Sequence, residues 1–191
     1  MQTEVTKKLF TVDEYYRMVE VGILNEGSRV ELIHGEIIEM SPIGNPHVAC
    51  VDRGAKLLVR MLDDRAIVSV QNPVRLDAYN EPQPDIVLMK PRADFYASKR
   101  HTPEDVLLFI EVSDTTLIYD RQVKLPIYAT SGITEVWIED LPHDRILVHR
   151  DPASGTYHSV FTLHRGEPIS ITSFPDIVFE IDDLLGPALG G

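Results

Sequence analysis

Pro84-Asp-Ile-Val-Leu-Met89 and Val106-Leu-Leu-Phe-Ile-Glu-Val112 are two neighbouring hydrophobic runs, each carrying one carboxylate. Their apolar character predicts strands inside a sheet. The carboxylates of Asp85 and Glu111 would lose water on folding, so each must be paired, protonated or bound to a metal ion. On adjacent strands the two side chains can converge on one point. The pair therefore indicates a metal site.

A wider arrangement of elements surrounds these runs. Apolar residues recur at helical spacing over 46–62, where Asn45 fits the N-cap and Pro46 the first helical position. Downstream, Asp120 is placed to cap a second helix that runs to about Ser131. Strand character is found at 66–70, 84–89, 106–112 and 134–138. The predicted α/β core is helix, three strands, helix, strand, around a mixed central sheet.

Flanking segments complete the predicted fold. The capping box Thr11-Val-Asp-Glu14 predicts a short N-terminal helix, and Arg29–Met40 predicts a hairpin. The pattern after Asp140 predicts edge strands that extend the sheet, and Phe174–Leu185 predicts a C-terminal clasp that packs back. We expect the final stretch, Gly186–Gly191, to fray.

The length of 191 residues and the 43% hydrophobic content suit one core of ordinary size. We predict a single domain over 1–191. It divides into an N-terminal helix and hairpin (1–44), the core (45–140), and edge strands with the clasp (141–191).

Composition excludes several classes of protein. The single cysteine, Cys50, rules out an internal disulfide framework and a thiolate zinc site, and it favours a reducing compartment. We expect a cytoplasmic protein without a membrane span, because the first ten residues lack the apolar core of a signal peptide and no apolar run approaches about 20 residues. The sequence also lacks a Gly-x-Ser-x-Gly elbow, a phosphate-binding loop and a dinucleotide fingerprint.

Magnesium is the metal that these residue types favour. Hard divalent cations bind through one or two carboxylates, a backbone carbonyl and several waters. Asp85 and Glu111 are the predicted ligands of Mg²⁺, with Mn²⁺ as a substitute, and Val112 is the candidate for the carbonyl. Lys124 is the candidate cation beside them, because it lies in the first turns of the helix that follows the Glu111 strand. The alternative for Lys124 is a surface salt bridge.

The chain resembles the Uma2 family of endonucleases, a branch of the PD-(D/E)XK nuclease superfamily. The resemblance depends on the following motifs: Pro84-Asp85, Glu111-Val-Ser113, Tyr119-Asp-Arg-x-x-Lys124-Leu-x-x-Tyr128-Ala129, Gly132-Ile-x-Glu135-x-Trp137-Ile138, Glu31-Leu-Ile-His-Gly-Glu36, the helix beginning near His47, and Phe174-Pro-Asp176. It spans nearly the whole chain and implies a restriction-endonuclease-like core, the same order of elements as predicted above.

The resemblance implies Mg²⁺-dependent hydrolysis of DNA phosphodiester bonds, with Asp85 and Glu111 as metal ligands and a lysine near the attacking water. One departure concerns Ser113, which stands where the commonest superfamily pattern has that lysine. Lys124 would have to replace it from the next helix. A second departure is Pro126, which removes a helical hydrogen bond and could shift Lys124.

Two further residues are candidates with open alternatives. The resemblance would bring Glu31 to the same cleft as a further acidic residue, whereas an exposed cross-strand pair is the simpler reading. His47 lies in the first turn of its helix, where a packed or capping role competes with a catalytic or phosphate-contacting one.

The net charge of −12 is a poor match to a polyanion, so a nucleic-acid partner needs a local basic surface. The loop Lys90–His101 gathers cations and two aromatic residues, which suits phosphate contact and base stacking, although a solvated loop is the alternative. The main competitor to an active nuclease is an inactive nuclease fold that serves as a binding or assembly module. Short edge strands favour a homodimer.

Overall fold

The two acidic runs form adjacent antiparallel strands within the central sheet of a computed structural model that describes residues 6–25 and 27–187. Within those residues, the strands are β1 (Val30–Ile33), β2 (Glu36–Glu39), β3 (Ile67–Val70), β4 (Ile86–Met89), β5 (Val106–Ser113), β6 (Glu135–Asp140), β7 (Arg145–Ala153), β8 (Thr156–His164), β9 (Pro168–Ile171) and β10 (Phe174–Glu180). The helices are α1 (Val12–Glu20), α2 (Asn45–Leu62), α3 (Leu117–Tyr119), α4 (Leu125–Thr130) and α5 (Ile181–Leu185).

The central sheet is mixed and has the order β3-β4-β5-β6-β7-β8. β5 and β6 are parallel, while the other neighbouring strands are antiparallel. A parallel pair needs a crossover, which α3, a π-helical turn (Asp120–Lys124) and α4 supply as one helical segment. The predicted order of helix, three strands, helix, strand is therefore confirmed. Similarly, the hairpin of β1 and β2 follows the predicted capping-box helix α1.

Apolar residues cover both faces of the sheet, which explains the nearly unbroken hydrophobic run of β5. On one face, Leu58 of α2 and Leu184 of α5 belong to a core with Leu108 and Ile110. On the other face, the helical crossover packs onto Phe109 and neighbouring residues. Charged groups inside this sheet are therefore far from bulk water, except where a strand ends.

Two helix starts differ from the sequence prediction. Gly44, instead of Asn45, is the N-cap of α2, so the helix begins one residue earlier. The second helical segment begins after Thr116, so Asp120 is not its cap but lies within a helical turn. Pro126 does not end this segment, since it is the second residue of α4, directly after the π-helical turn.

The C-terminal strands divide differently from the prediction. β7 and β8 extend the central sheet as expected, but β9 and β10 form a separate two-stranded sheet. Phe179 and Ile181 of this region belong to the core beside α2, which agrees with a clasp. The expected fraying of Gly186–Gly191 falls largely on 188–191, outside the described residues. No helix of the described part of the chain is long and apolar enough to cross a membrane.

The β1–β2 hairpin turn requires a residue without a side chain at Gly35, and this requirement can be tested. This residue has a φ of +72°, and a Cβ there would lie 2.8 Å from Leu9 Cβ. We expect Gly35→Ala to lower the free energy of unfolding by about 2–4 kcal/mol in urea denaturation. The substitution combines two costs, the strain of a left-handed backbone and the overpacking of the new Cβ. Gly132→Ala is the matched control, because the φ of Gly132 is +79° but no atom of the described residues would lie within 4 Å of a Cβ there. Equal losses in the two variants would contradict the close packing at Gly35.

Candidate active site

A cleft of about 560 Å³ opens where β4 begins and β5 ends. Its walls come from the β1–β2 hairpin, the first turn of α2 and the start of the helical crossover. The sequence-predicted residues Glu31, His47, Asp85, Glu111, Val112 and Lys124 all line this cleft. Ser113 does not line it, but lies directly behind it in β5 and is fully buried.

Strand register brings the two key carboxylates together. Ile86 of β4 pairs with Ile110 of β5, so the next step of the antiparallel register places Asp85 opposite Glu111. Asp85 immediately precedes β4 and Glu111 lies near the end of β5, so both stand at one rim of the sheet. Both residues therefore line the cleft from neighbouring strands, and their convergence on one point stays a prediction.

Asp85 is held in its charged form. Its Oδ2 atom accepts hydrogen bonds from the Val112 backbone N–H at 2.9 Å and contacts His47 Nε2 at 3.1 Å. Its Oδ1 atom accepts from Gln71 Nε2 at 3.3 Å. Burial alone would raise the pKa of Asp85, but the hydrogen bonds and the charge of His47 outweigh it, so the pKa is lowered.

Glu111 has the opposite environment. It is 3% exposed, and burial raises its pKa to about 8, with further increases from the charges of Asp120 and Asp85. Among the residues that the structure describes, Lys124 Nζ and the Tyr128 hydroxyl donate hydrogen bonds to Glu111, and both reach Oε1. The other oxygen, Oε2, is the one left for a ligand in the cleft.

Lys124 is a buried cation. Its side chain is not in a surface salt bridge, because the residue is 6% exposed. Its Nζ atom lies 3.3 Å from Glu111 Oε1, 3.3 Å from Glu31 Oε2 and 4.0 Å from Asp120 Oδ1. Burial lowers the pKa of this lysine, but the three carboxylates outweigh burial and raise it. The ammonium is therefore charged at neutral pH.

Glu31 belongs to this buried cluster. An exposed cross-strand pair is the wrong description, because Glu31 is buried and lies opposite Ile38 in the hairpin. Its Oε2 atom accepts from the Gln83 backbone N–H at 3.2 Å and faces Lys124. The hairpin is thereby tied to the helical crossover through one ion pair.

His47 and Val112 both contact the carboxylate of Asp85. His47 is buried in the first turn of α2 and holds the carboxylate, so it is neither a simple packing residue nor a cap. The Val112 N–H also binds Asp85, and the N–H and C=O of one strand residue point to the same side of the strand. The Val112 carbonyl therefore faces the edge on which Asp85 lies, as its proposed role requires.

The cationic loop Lys90–His101 does not reach the cleft. None of its residues lines the cavity beside Asp85. Arg92 pairs with Asp94, and Lys99 pairs with Asp105 at 2.8 Å. This arrangement agrees better with the solvated alternative than with phosphate contact in the cleft.

The oxygen atoms around the cleft fit a hard cation that keeps most of its waters. Among the described residues, no group of three or more His, Cys, Asp and Glu side chains is placed to enclose a metal. Mg²⁺ does not need such an enclosing group of side chains, because one or two carboxylates and a carbonyl suffice when waters complete its coordination shell. Four carboxyl groups, those of Glu31, Glu111, Asp120 and Asp85, lie around the single Lys124 ammonium. A cation bound beside Asp85 and Glu111 would favour the ionised form of Glu111, whose pKa burial raises to about 8.

Sequence reasoning missed two members of the site. The sequence predicts a helix cap at Asp120, yet this residue is a buried carboxylate beside Lys124. The signal available was its spacing of four residues from Lys124, which places two helical side chains on one face. Tyr128, four residues further on, donates to Glu111.

Comparisons with known proteins concern the family and the fold of this chain. A model of the Uma2 family, described as "Putative restriction endonuclease", matches residues 12–182. A solved structure described as "a putative nuclease belonging to DUF820", from Anabaena variabilis, shares 16% sequence identity and a TM-score of 0.70. The alignment covers 92% of this chain and 97% of that one, and it shows a common fold. A search of curated proteins finds no match.

Loss of the Lys124 ammonium from the buried cluster should lower the stability of the protein strongly. Lys124→Met leaves Glu31, Glu111 and Asp120 without the ammonium, so we expect the free energy of unfolding at neutral pH to fall by about 3–5 kcal/mol in urea denaturation. The control is Lys8→Met, whose exposed ammonium pairs with Glu14 at 2.8 Å. That loss should stay below about 1 kcal/mol. A loss for Lys124→Met as small as for Lys8→Met would contradict a desolvated cluster.

Proposed function

The chain belongs to the Uma2 family, described as "Putative restriction endonuclease", and on this premise we propose that it is a metal-dependent endonuclease that hydrolyses DNA phosphodiester bonds. The family relationship supports nuclease activity. The choice of DNA, the dependence on Mg²⁺ and the roles of individual residues are parts of the proposal.

The observation that carries the proposal is the placement of four residues. Asp85 and Glu111 stand opposite each other at the rim of the sheet, with the charged Lys124 between Glu111 and Glu31. All four side chains line an open cleft instead of a closed core. Burying this many charges costs stability, so a site with access to solvent is better explained by function than by structure.

Asp85 and Glu111, together with the Val112 carbonyl, would hold Mg²⁺, or Mn²⁺ as its substitute. When bound there, the ion supplies charge stabilisation for a phosphate and a lower pKa for a coordinated water. His47 and the Val112 N–H fix the orientation of the Asp85 carboxylate, and Tyr128 does the same for Glu111. These contacts limit the reorganisation that ligand binding would require.

Lys124 supplies a fixed positive charge at the cleft wall. Its ammonium can donate hydrogen bonds to an attacking water or to a phosphate oxygen while it keeps a carboxylate partner. Glu31 shares the ammonium with Glu111, so its role is to hold Lys124 or to contribute a further acidic ligand. The negative charge of the cleft repels DNA, which predicts that cleavage requires a divalent cation.

A second candidate is an inactive nuclease fold that acts as a binding or assembly module. One observation favours it: Lys124 is already paired with carboxylates, and the cations Arg92 and Lys99 of the Lys90–His101 loop are paired as well. The net charge of −12 also disfavours binding to a polyanion.

Formation of a homodimer through an edge strand and residence in the cytoplasm remain predictions.

Plasmid cleavage tests the proposed activity. We expect the purified protein to nick supercoiled plasmid with Mg²⁺ or Mn²⁺. Asp85→Asn, Glu111→Gln and Lys124→Met should each lower the rate by about 100-fold or more, because the first two remove metal ligands and the third removes a positive charge beside the reacting phosphate. Asp176→Asn is the matched control, since it removes an exposed carboxylate that pairs with Arg65. Equal nicking by all variants would indicate a contaminating nuclease and support the inactive module.

Calorimetry tests the metal site without any substrate. We expect titration of Mn²⁺ into the parent protein and into Asp176→Asn to give a saturable heat of binding, and Asp85→Asn to lose it, because that variant lacks one anionic ligand. The absence of a heat signal in the parent would argue for the inactive module.

A further inference from the structure

Lys124 lies in an unusual stretch of helix. The five residues Asp120–Lys124 form a π-helical turn, in which the Leu125 N–H donates to the Asp120 carbonyl. Turns of this kind are rare and concentrate at functional sites. The turn ends directly before α4, whose second residue, Pro126, has no N–H to donate.

Asp120, at the start of this turn, is held by two hydroxyl groups. Ser113 Oγ and Thr116 Oγ1 both donate to Asp120 Oδ2, each at 2.7 Å. The other oxygen, Oδ1, faces Lys124 Nζ at 4.0 Å. Both Ser113 and Asp120 are buried, so these hydrogen bonds face little competition from water.

We propose that Asp120 is a positioning residue for Lys124, and that Ser113 and Thr116 fix its carboxylate so that the lysine ammonium stays between Glu31 and Glu111. Its catalytic consequence rests on the proposed nuclease function. The placement of Lys124 itself does not depend on that function.

The geometry explains why such a support is needed. A lysine side chain is long and flexible, and its ammonium is a point charge without directional geometry of its own. Glu31 comes from the hairpin and Glu111 from the sheet, so both attract the ammonium away from its own helix. Asp120 is the third carboxylate, and it lies on the same helical turn as Lys124. It therefore limits how far the ammonium can move.

A purely local role for Asp120 explains the contacts less well. Thr116 is the N-cap residue of α3, yet its side chain makes no capping hydrogen bond to the helix backbone and binds Asp120 instead. Both hydroxyls use the same oxygen of Asp120, which leaves Oδ1 directed to the lysine. Ser113 has no charge to offer a phosphate, but its hydroxyl holds Asp120, and Asp120 in turn faces Lys124.

Kinetics form the first part of the test. Asp120→Asn should lower kcat by about 10- to 100-fold, as for other groups that orient catalytic residues. Thr116→Val, which has the same shape without the hydroxyl, and Ser113→Ala should lower kcat several-fold, whereas Thr116→Ser should restore it. The affinity for Mn²⁺ in calorimetry should stay unchanged in the two Thr116 variants and in Ser113→Ala, which keep every charge of the cluster. Full activity of Asp120→Asn, or equal kcat for Thr116→Val and Thr116→Ser, would overturn the proposal.

Chemical labelling forms the second part and needs no cleavage. Acetylation of Lys124, read by peptide mass spectrometry, should rise several-fold in Thr116→Val over Thr116→Ser, although both variants keep every charge of the cluster. Alkylation of Cys50, buried on the other face of the sheet beside Glu139, should not change. Unchanged acetylation of Lys124, or a parallel rise at Cys50 that reports general opening, would overturn the proposal.

Kinetics and labelling together distinguish a failure of the nuclease function from a failure of the positioning role of Asp120. If the parent protein does not cleave DNA but labelling of Lys124 rises selectively, the positioning role stands and the nuclease function fails. If the parent cleaves DNA and neither kcat nor labelling responds to Thr116→Val, the nuclease function stands and the positioning role fails.

Discussion

The ammonium of Lys124, buried among carboxylates, is the interaction on which the rest of the site depends. Its partners come from three parts of the fold: Glu31 from the β1–β2 hairpin, Glu111 from the central sheet, and Asp120 from the π-helical turn. Removing the ammonium would leave like charges in a poorly solvated space, and keeping it requires all three parts to hold their places. The same ion cluster therefore fixes the hairpin and forms one wall of the cleft.

The two strand carboxylates have different environments although they stand opposite each other. Asp85 receives several hydrogen bonds, and its pKa is lowered, whereas burial raises the pKa of Glu111 to about 8. Such a division is common where neighbouring acids have distinct functions. A divalent cation between the two groups would favour the ionised form of Glu111 and offset the negative charge of Asp85, which is why a cation is central to the proposed chemistry. Without one, the cleft would repel any phosphate.

Much of this site could be predicted from the sequence because strand patterning is a strong signal. Asp85 and Glu111 interrupt apolar runs, and β-strand periodicity then places them at one rim. Burial of Glu31 was harder to predict, since an isolated hairpin exposes one face, and only its packing against the crossover removes that residue from water. The role of Asp120 was missed because an aspartate near a helix start fits an N-cap equally well, and periodicity does not indicate a π-helical turn. For β9, turn signals predicted a strand but placed it at the edge of the central sheet, and β10 was predicted as part of the clasp and not as the partner strand of β9.

The central claim is that Asp85 and Glu111 share one divalent cation at the rim of the sheet. The most direct measurement is a crystal structure of the protein with Mn²⁺, in which anomalous scattering locates the ion. The account predicts a single peak in the cleft, within about 2.2 Å of an oxygen of each carboxylate and of the Val112 carbonyl. A cleft without a peak, while Lys124 still occupies its place between Glu31 and Glu111, would contradict the account.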